Sequence, residues 1–160
     1  MFRRFALVVA ASFGLLVMPV PIGVRLAGAQ TVAQLSVVRA AAHPGYDRLV
    51  FQFTGTLPAT HSVTWVKRVV QDPSGKPIAL LGRAFVRIVF NPASAHTTSG
   101  QPSYSGVVPA FVGLQVLCSV KMAGDFEAVL SFGVGLIQKT PLHVFTLTRP
   151  TRFVIDFAVP

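Results

Sequence analysis

The 160 residues include 14 Lys and Arg, five Asp and Glu, and 52% hydrophobic side chains, a composition that supports one basic domain with a sizeable core. A single cysteine, Cys118, excludes an intrachain disulfide, so the fold must be stabilised by packing. The basic residues are spread along the chain and no nucleic-acid recognition motif is present, which argues against a nucleic-acid-binding protein.

The first 29 residues have the pattern of an export signal. Arg3 and Arg4 form a short cationic start, and an almost unbroken apolar run follows over 5–20. The segment ends at 27–29 with Ala-Gly-Ala, the small-x-small pattern that signal peptidase recognises. The sequence therefore predicts cleavage after Ala29 and a secreted, extracytoplasmic protein.

An uncleaved membrane anchor is the alternative interpretation of this segment. Pro19 and Pro21 interrupt the apolar run after about 16 residues, fewer than the roughly 20 that a spanning helix needs. Cleavage leaves 30–160 as one mature domain without a stable membrane span. Three of the 14 cationic residues are removed with the signal, leaving eleven against five acids and a net charge of +6. Such a surface attracts anionic envelope polymers.

Beyond the signal, the apolar segments are short, rich in Val, Phe, Ile and Thr, and bounded by Gly, Pro, Asn or Asp. This pattern is typical of strands and turns, and it predicts an all-β domain, a single antiparallel β-sandwich of about eight or nine short strands. The predicted strands are 34–40, 48–54, 62–71, 78–81, 85–91, 113–122, 128–134, 142–148 and 152–158. Tight turns are predicted at 72–75 and 148–151.

The stretch 91–108 is rich in Pro, Gly and small polar residues, with Tyr104 as its one large side chain. It is predicted to be a long surface loop on which Tyr104 is exposed for binding. A connection without any partner is the alternative. In the strand that follows, Cys118 alternates with polar residues, which predicts an inward-facing, inert thiol.

Two further patterns concern strands. Residues 48–53 and 152–157 share the order Arg, apolar, Val, apolar, amide or acid, Phe, which predicts two central strands of a pseudo-symmetric sandwich. Chance similarity between Val- and Phe-rich strands is the alternative. The Gly-Val-Gly at 133–135 follows a strand but precedes no helix, so it is predicted to be a bulge or strand exit rather than a phosphate loop.

Four motifs occur in an order that resembles the AMIN-like domain family. They are Gly-Tyr-Asp-Arg-Leu-Val-Phe at 45–51, Asp-Pro-Ser-Gly at 72–75, Ala-Gly-Asp-Phe-Glu at 123–127, and Pro-Thr-Arg-Phe-Val-Ile-Asp at 150–156. That family comprises exported bacterial envelope proteins and is related by pattern to the AMIN domain, which accompanies cell-wall amidases and secretion-pore proteins. The similarity extends from about Leu35 to Phe157.

The resemblance implies an all-β sandwich and no catalytic residues. For the AMIN domain itself it implies periplasmic targeting through peptidoglycan binding. The chain departs from the family in two respects. Gln52 stands where relatives often carry an acid, and the lipidation cysteine of many relatives is absent. Both a membrane anchor and an acid function at position 52 are therefore not expected.

Acidic residues in these motifs invite two interpretations. Asp125 and Glu127 are two residues apart, so on a strand they would share a face and offer two carboxylates to one cation or sugar. Alternatively, Asp125 enters a turn, and Glu127 and Asp156 pair with Arg48 or Arg152. A single local pair does not supply the opposed carboxyl groups of a glycosidase.

No metal, cofactor or catalytic residue is predicted. The four histidines lack ligand spacing and lie far apart, at His43, His61, His96 and His143. Ser105 before Gly106 lacks the preceding glycine of a nucleophile elbow. Trp65, as the one tryptophan, is predicted to lie in the core.

The sequence thus predicts a non-catalytic envelope module that binds peptidoglycan, another cell-wall polysaccharide or an anionic wall polymer. The candidate ligand-binding residues are Tyr46, Asp47, Arg48, Tyr104, Asp125, Glu127, Arg152 and Asp156. One alternative is a protein-interaction domain that docks another secreted protein through a strand edge or the 91–108 loop. A wall hydrolase using Asp125 and Glu127 is the lower-ranked alternative.

Overall fold

The structure is a computed structural model that describes residues 31–106 and 113–160, so the predicted signal peptide lies outside the described residues. The described residues form nine strands, and none of them belongs to a helix that could cross a membrane. The strands are β1 (Ala33–His43), β2 (Tyr46–Thr54), β3 (Thr60–Val66), β4 (Ala84–Asn91), β5 (Ala93–Ser94), β6 (Leu117–Phe126), β7 (Val129–Leu136), β8 (Leu142–Thr148) and β9 (Thr151–Ala158). The predicted all-β fold is confirmed.

Two sheets make up the domain. The five-stranded sheet has the order β5-β1-β2-β9-β8, and the four-stranded sheet has the order β3-β4-β7-β6. Neighbouring strands are antiparallel except for β1 and β5, which pair in parallel over two residues. The predicted hairpin between the last two strands is present, with Thr148 paired to Thr151.

Phenylalanine rings join the inner faces of the two sheets. Phe51 of β2 lies 5.2 Å from Phe90 of β4 and 4.9 Å from Phe132 of β7, measured between ring centroids. Phe153 of β9 lies 5.0 Å from Phe90, and all four rings are fully buried. These edge-to-face contacts make the aromatic cluster the centre of the sandwich.

The two matched segments are immediate neighbours at the centre of the five-stranded sheet. β2 and β9 pair in antiparallel register around Val50 and Val154. Arg48 therefore lies opposite Asp156, and Gln52 lies opposite Arg152. The prediction that both strands are central is confirmed.

The predicted strands 62–71 and 78–81 are wrong in part. β3 ends at Val66, and 67–83 crosses the outer face of the four-stranded sheet as an irregular segment. Its Val69 is 2% exposed against β7. The predicted turn within it is present, since the Gly75 amide donates to the Gln71 carbonyl at 2.7 Å. The apolar residues of this segment pack on a face of the sheet, and the segment does not add a strand to it. Alternation of apolar residues in the sequence does not distinguish these two arrangements.

The Gly-Val-Gly at 133–135 was predicted to be a bulge or strand exit; it contains no bulge, and β7 ends one residue after it, at Leu136. β7 continues through both residues in regular register with β4. The glycines are needed because the 67–83 segment lies directly on them: a Cβ at Gly135 would stand 1.9 Å from the Leu81 carbonyl oxygen, and one at Gly133 would stand 2.7 Å from a Val69 methyl carbon. Because glycine has no side chain, the backbone of the 67–83 segment can approach β7 closely at these two positions.

We therefore expect Gly135→Ala to lower the free energy of unfolding by about 1–3 kcal/mol, because the methyl group must displace the backbone at Leu81. Urea unfolding measures this loss. Limited proteolysis of the folded protein should also cut faster within the 67–83 segment. An unchanged unfolding midpoint would contradict this packing of the segment on β7.

The predicted exposure of Tyr104 is wrong. The stretch 91–106 closes one end of the sandwich, where Ala93 is 0% and Tyr104 is 7% exposed. The Tyr104 ring lies 6.0 Å from Phe132, and burial raises the pKa of its phenol. Small residues around it allow the segment to sink between the sheets, so the tyrosine fills the core instead of presenting a ring to solvent.

Cys118 is only partly buried, which corrects its predicted inward position. A bulge between Leu117 and Ser119 in β6 places both of these neighbours in the interior, and the alternation predicted from the sequence is lost there. Burial, reinforced by the charge of Asp47, raises the pKa of the Cys118 thiol. A raised pKa disfavours the nucleophilic thiolate form.

Candidate functional site

The exposed side of the five-stranded sheet, called the outer face below, collects four of the predicted binding residues. In β2, outward residues alternate with fully buried ones, so Tyr46 and Arg48 point outward. Pairing with β9 brings Asp156 and Arg152 onto the same side. Residues far apart in the sequence thus form one surface because the second strand, β2, and the last strand, β9, are adjacent.

Arg48 is the most constrained side chain of the outer face. Its Nε and Nη2 atoms donate to the Oδ1 and Oδ2 atoms of Asp156 at 2.7 and 2.8 Å, a bidentate ion pair. The guanidinium carbon lies 5.1 Å from the ring centroid of Tyr46 and 5.2 Å from that of Phe145. The hydrogen bond to Asp156 raises the pKa of Arg48, against an opposing effect of burial. A fixed cation therefore lies between two aromatic rings.

Two histidines extend this arrangement on both sides. His43 stacks on Tyr46 with centroids 4.8 Å apart and an interplanar angle of 13°. His143 stacks on Phe145 at 5.3 Å and 28°. The resulting aromatic row runs across four strands in the order His43, Tyr46, Arg48, Phe145 and His143. A cavity of about 310 Å³ opens beside it, lined by Tyr46, His143 and Asp156 among others.

Further along the outer face, two arginines lack a carboxylate partner within the described residues. Arg39 donates to the Oε1 atom of Gln52 at 3.2 Å. Arg152 lies opposite Gln52 and donates to the carbonyl oxygens of Pro150 and Arg149, at 3.3 and 3.4 Å. An acid at position 52 would face Arg152 as Asp156 faces Arg48. Gln52 is uncharged, so this half of the face is positive.

Asp47 lies on the opposite side of β2 and is fully buried. Its Oδ2 atom accepts hydrogen bonds from three successive backbone amides, those of Gln115, Val116 and Leu117, at 2.9, 2.6 and 2.9 Å. The Oδ1 atom is buried without a hydrogen-bond partner among the described residues. Asp47 thus ties the start of β6 to β2 and does not reach the outer face.

Asp125 and Glu127 do not form an opposed pair of carboxyl groups. The Oδ2 atom of Asp125 lies 2.7 Å from His96 Nδ1 and accepts the Ala95 amide at 3.0 Å. Glu127 occupies the exposed β6–β7 turn, where it and Ala128 have φ angles of 49° and 59°. Asp125 therefore fastens the 91–106 stretch to β6 through contacts with distant residues, whereas the sequence had predicted local contacts in a turn.

The fold and motif positions can now be compared with known families. A family model of the AMIN-like domain matches residues 33–159, nearly the whole described part of the chain. The chain belongs to the AMIN-like domain family. The match confirms the resemblance seen in the sequence, and no curated protein or solved structure matches the chain.

Membership places this chain among binding-type, envelope-associated modules that are not a known enzyme family. AMIN-like domains belong to exported envelope proteins, which indicates an extracytoplasmic location. Within the two described stretches, no group of three or more His, Cys, Asp or Glu side chains is arranged to hold a metal ion.

The motif aspartates of this AMIN-like domain all make structural contacts. Besides Asp47, Asp125 and Asp156, Asp72 accepts hydrogen bonds from Arg87 Nη2 at 2.5 Å and Ser131 Oγ at 2.7 Å. This pair joins the 67–83 segment to β4 and β7. The aspartates of the four motifs therefore hold distant parts of the chain together. Of their contacts, that of Asp156 with Arg48 lies on the outer face.

Sequence analysis missed three side chains of the aromatic row, namely His43, His143 and Phe145. The histidines were considered only as metal ligands, and the phenylalanine was not considered as a binding residue. The available signal was the register of β8, since His143 and Phe145 lie opposite Asp156 and Val154 in the final hairpin. Residues directly opposite in neighbouring strands share a face.

Proposed function

We propose that this AMIN-like domain is a secreted, non-catalytic module that binds peptidoglycan or another anionic wall polymer through its outer face. The observation that carries the proposal is the position of Arg48 between two aromatic rings. Flat rings stack on sugar faces, and guanidinium groups bind carboxylates and phosphates with directional hydrogen bonds. The aromatic row combines both on one rigid sheet.

Charge on the outer face supports an anionic ligand. Arg39, Arg48 and Arg152 outnumber Asp156, the acid of this face, which is already held by Arg48. Two of the three arginines retain their full charge without a carboxylate partner in the described chain. The potential above this sheet is therefore positive and attracts polymers that carry carboxylate or phosphate groups.

Export completes the proposal. The signal at the N-terminus is cleaved after Ala29, and the released domain acts outside the cytoplasm without a membrane span. A role in the envelope follows from the combination of export, family membership and a face suited to wall polymers. No residue of the outer face is assigned a catalytic role.

Retention on purified cell-wall sacculi tests this function. We expect the protein to bind at low salt and to bind more weakly at physiological salt, because exposed charges are screened over about 8 Å. Arg39→Ala combined with Arg152→Ala should weaken retention by about tenfold, or about 1.4 kcal/mol. Lys76→Ala combined with Arg83→Ala removes the same charge elsewhere and is the control.

The comparison of the two double variants decides between a specific face and overall basicity. Equal losses would show that net charge alone drives binding. No retention of the unaltered protein in either salt condition would refute the proposed function. For the aromatic contribution, Tyr46→Ala should weaken retention, whereas Phe126→Ala, which removes an exposed ring from β6, should not.

Docking of another secreted protein is a second candidate function, and an exposed strand edge of the five-stranded sheet favours it. The hydrolase alternative receives less support from the geometry. Asp125 is engaged by His96 and by a backbone amide, and Glu127 lies in an exposed turn. A cleft with an acid facing a base is what wall hydrolysis would require.

A further inference from the structure

Strand β8 forms one edge of the five-stranded sheet. It pairs with β9 over seven residues without a register shift. Edge strands present unpaired N–H and C=O groups, and natural proteins protect them with charged residues, prolines or bulges. The sequence of β8, Leu-His-Val-Phe-Thr-Leu-Thr, contains no Lys, Arg, Asp, Glu or Pro. Among the described residues this edge is regular, and the strand itself contains none of the usual protective residues.

The edge at β6 is protected, whereas β3, the other edge of the four-stranded sheet, is regular and uncharged like β8. β6 is the last strand of the four-stranded sheet, and its register is broken by bulges at Leu117/Ser119 and Met122/Gly124. Lys121 adds an exposed charge between the two bulges. An incoming strand cannot follow such an irregular edge over its full length.

Basic residues flank both ends of β8. Lys139 precedes the strand and Arg149 follows it, and both are exposed. The Nζ atom of Lys139 lies 5.5 Å from the ring centroid of Trp65 in β3. The sequence has no Asp or Glu from 128 to 155. A strand that adds to β8 therefore meets positive charge at each end.

We propose that the edge of β8 binds an extended, acidic segment of a partner protein by adding it as a sixth strand to this sheet. Backbone hydrogen bonds would supply affinity, as in other cases of strand addition. Acidic side chains at the two ends of the segment would pair with Lys139 and Arg149. This interaction lies beside the outer face and does not depend on binding to the wall polymer.

Charge also distinguishes this partner from a second copy of the chain. Two copies of β8 related by a two-fold axis would pair in antiparallel orientation. Lys139 of one copy would then lie near the same end as Arg149 of the other, and the two cations would repel each other. An acidic partner segment has no such conflict.

A synthetic peptide tests the proposal with the purified exported protein. The probe has alternating Thr and Val over six residues and two Glu at each end. One control peptide replaces a central Val with Pro, which keeps the charge but prevents strand pairing. Another replaces the four Glu with Lys. We expect the probe to bind at least about tenfold more tightly than either control.

Amide hydrogen exchange shows where the probe binds. A saturating amount should slow exchange of β8 amides by at least about tenfold, which charge attraction alone would not do. Lys139→Glu combined with Arg149→Glu should weaken the probe at least about tenfold. The control, Lys76→Glu combined with Arg83→Glu, makes the same change in net charge at other exposed sites and should have little effect.

Several outcomes would overturn the proposal. Equal affinity of the proline-containing peptide would show a purely electrostatic contact, and protection of β3 or β6 instead of β8 would place the contact elsewhere. Equal weakening by the two double variants would remove the specific part played by Lys139 and Arg149. Self-association of the protein through β8, seen as concentration-dependent protection without peptide, would identify a second copy as the partner.

Discussion

Asp47→Ala is expected to lower the free energy of unfolding by about 3–5 kcal/mol, because three backbone amides, of which those of Val116 and Leu117 are buried, lose their common acceptor. The Oδ2 atom of Asp47 accepts from Gln115, Val116 and Leu117 at 2.6 to 2.9 Å. Asp47, Val116 and Leu117 are at most 3% exposed, so solvent has little access to the carboxylate and to two of the three amides. Urea unfolding followed by circular dichroism measures the change.

Asp47→Asn is the matched control for this prediction. It keeps the shape of the side chain and one acceptor oxygen but removes the charge that strengthens the three hydrogen bonds. We expect a smaller loss, about 1–2 kcal/mol, because the amides keep an acceptor. If alanine and asparagine cost the same, or if neither changes the unfolding midpoint, the anchoring of β6 by Asp47 is wrong.

Arg48→Met is expected to weaken retention on sacculi by at least about tenfold, or about 1.4 kcal/mol. The substitution removes the cation between the rings of Tyr46 and Phe145 and leaves the Asp156 carboxylate without its partner. The centre of the outer face thereby changes from a neutral pair to a negative group, which repels an anionic polymer. Quantitative pull-down at several protein concentrations measures this loss.

Asp156→Asn changes the charge at the centre of the outer face in the opposite direction and serves as the control. The guanidinium group of Arg48 remains between the rings, but its charge is no longer neutralised by a carboxylate. Retention of this variant should equal or exceed that of the unaltered protein, and the variant combining Arg48→Met with Asp156→Asn should fall between the two single variants. Weaker binding by Asp156→Asn than by Arg48→Met would contradict an electrostatic function of this face.

Much of the fold could be predicted because the residue pattern within each strand is enough to identify it. β2 alternates between outward and buried residues over its length. Because β9 repeats the order of residue types found in β2, both were assigned as central strands. The pairing of Arg48 with Asp156 was among the alternatives derived from the sequence, since bidentate pairs form where strand register brings the two groups together.

Other features depend on contacts between distant residues and carry no local signal. The 67–83 segment has the apolar residues of a strand, but the glycines of β7 allow it to lie across a sheet face. Tyr104 lies in a polar stretch of the sequence, yet its ring packs beside Phe132 in the core. The aromatic row needed the register of four strands, which single-segment patterns do not contain.

Nuclear magnetic resonance of the purified domain with solubilised peptidoglycan fragments tests the central claim most directly. Binding at the outer face should shift the signals of Tyr46, Arg48, His143 and Phe145 in a saturable manner and leave the outer side of the four-stranded sheet, represented by Arg87 and Ser62, unchanged. Shifts confined to that second sheet, or no shifts at fragment concentrations that saturate retention on sacculi, would contradict the account.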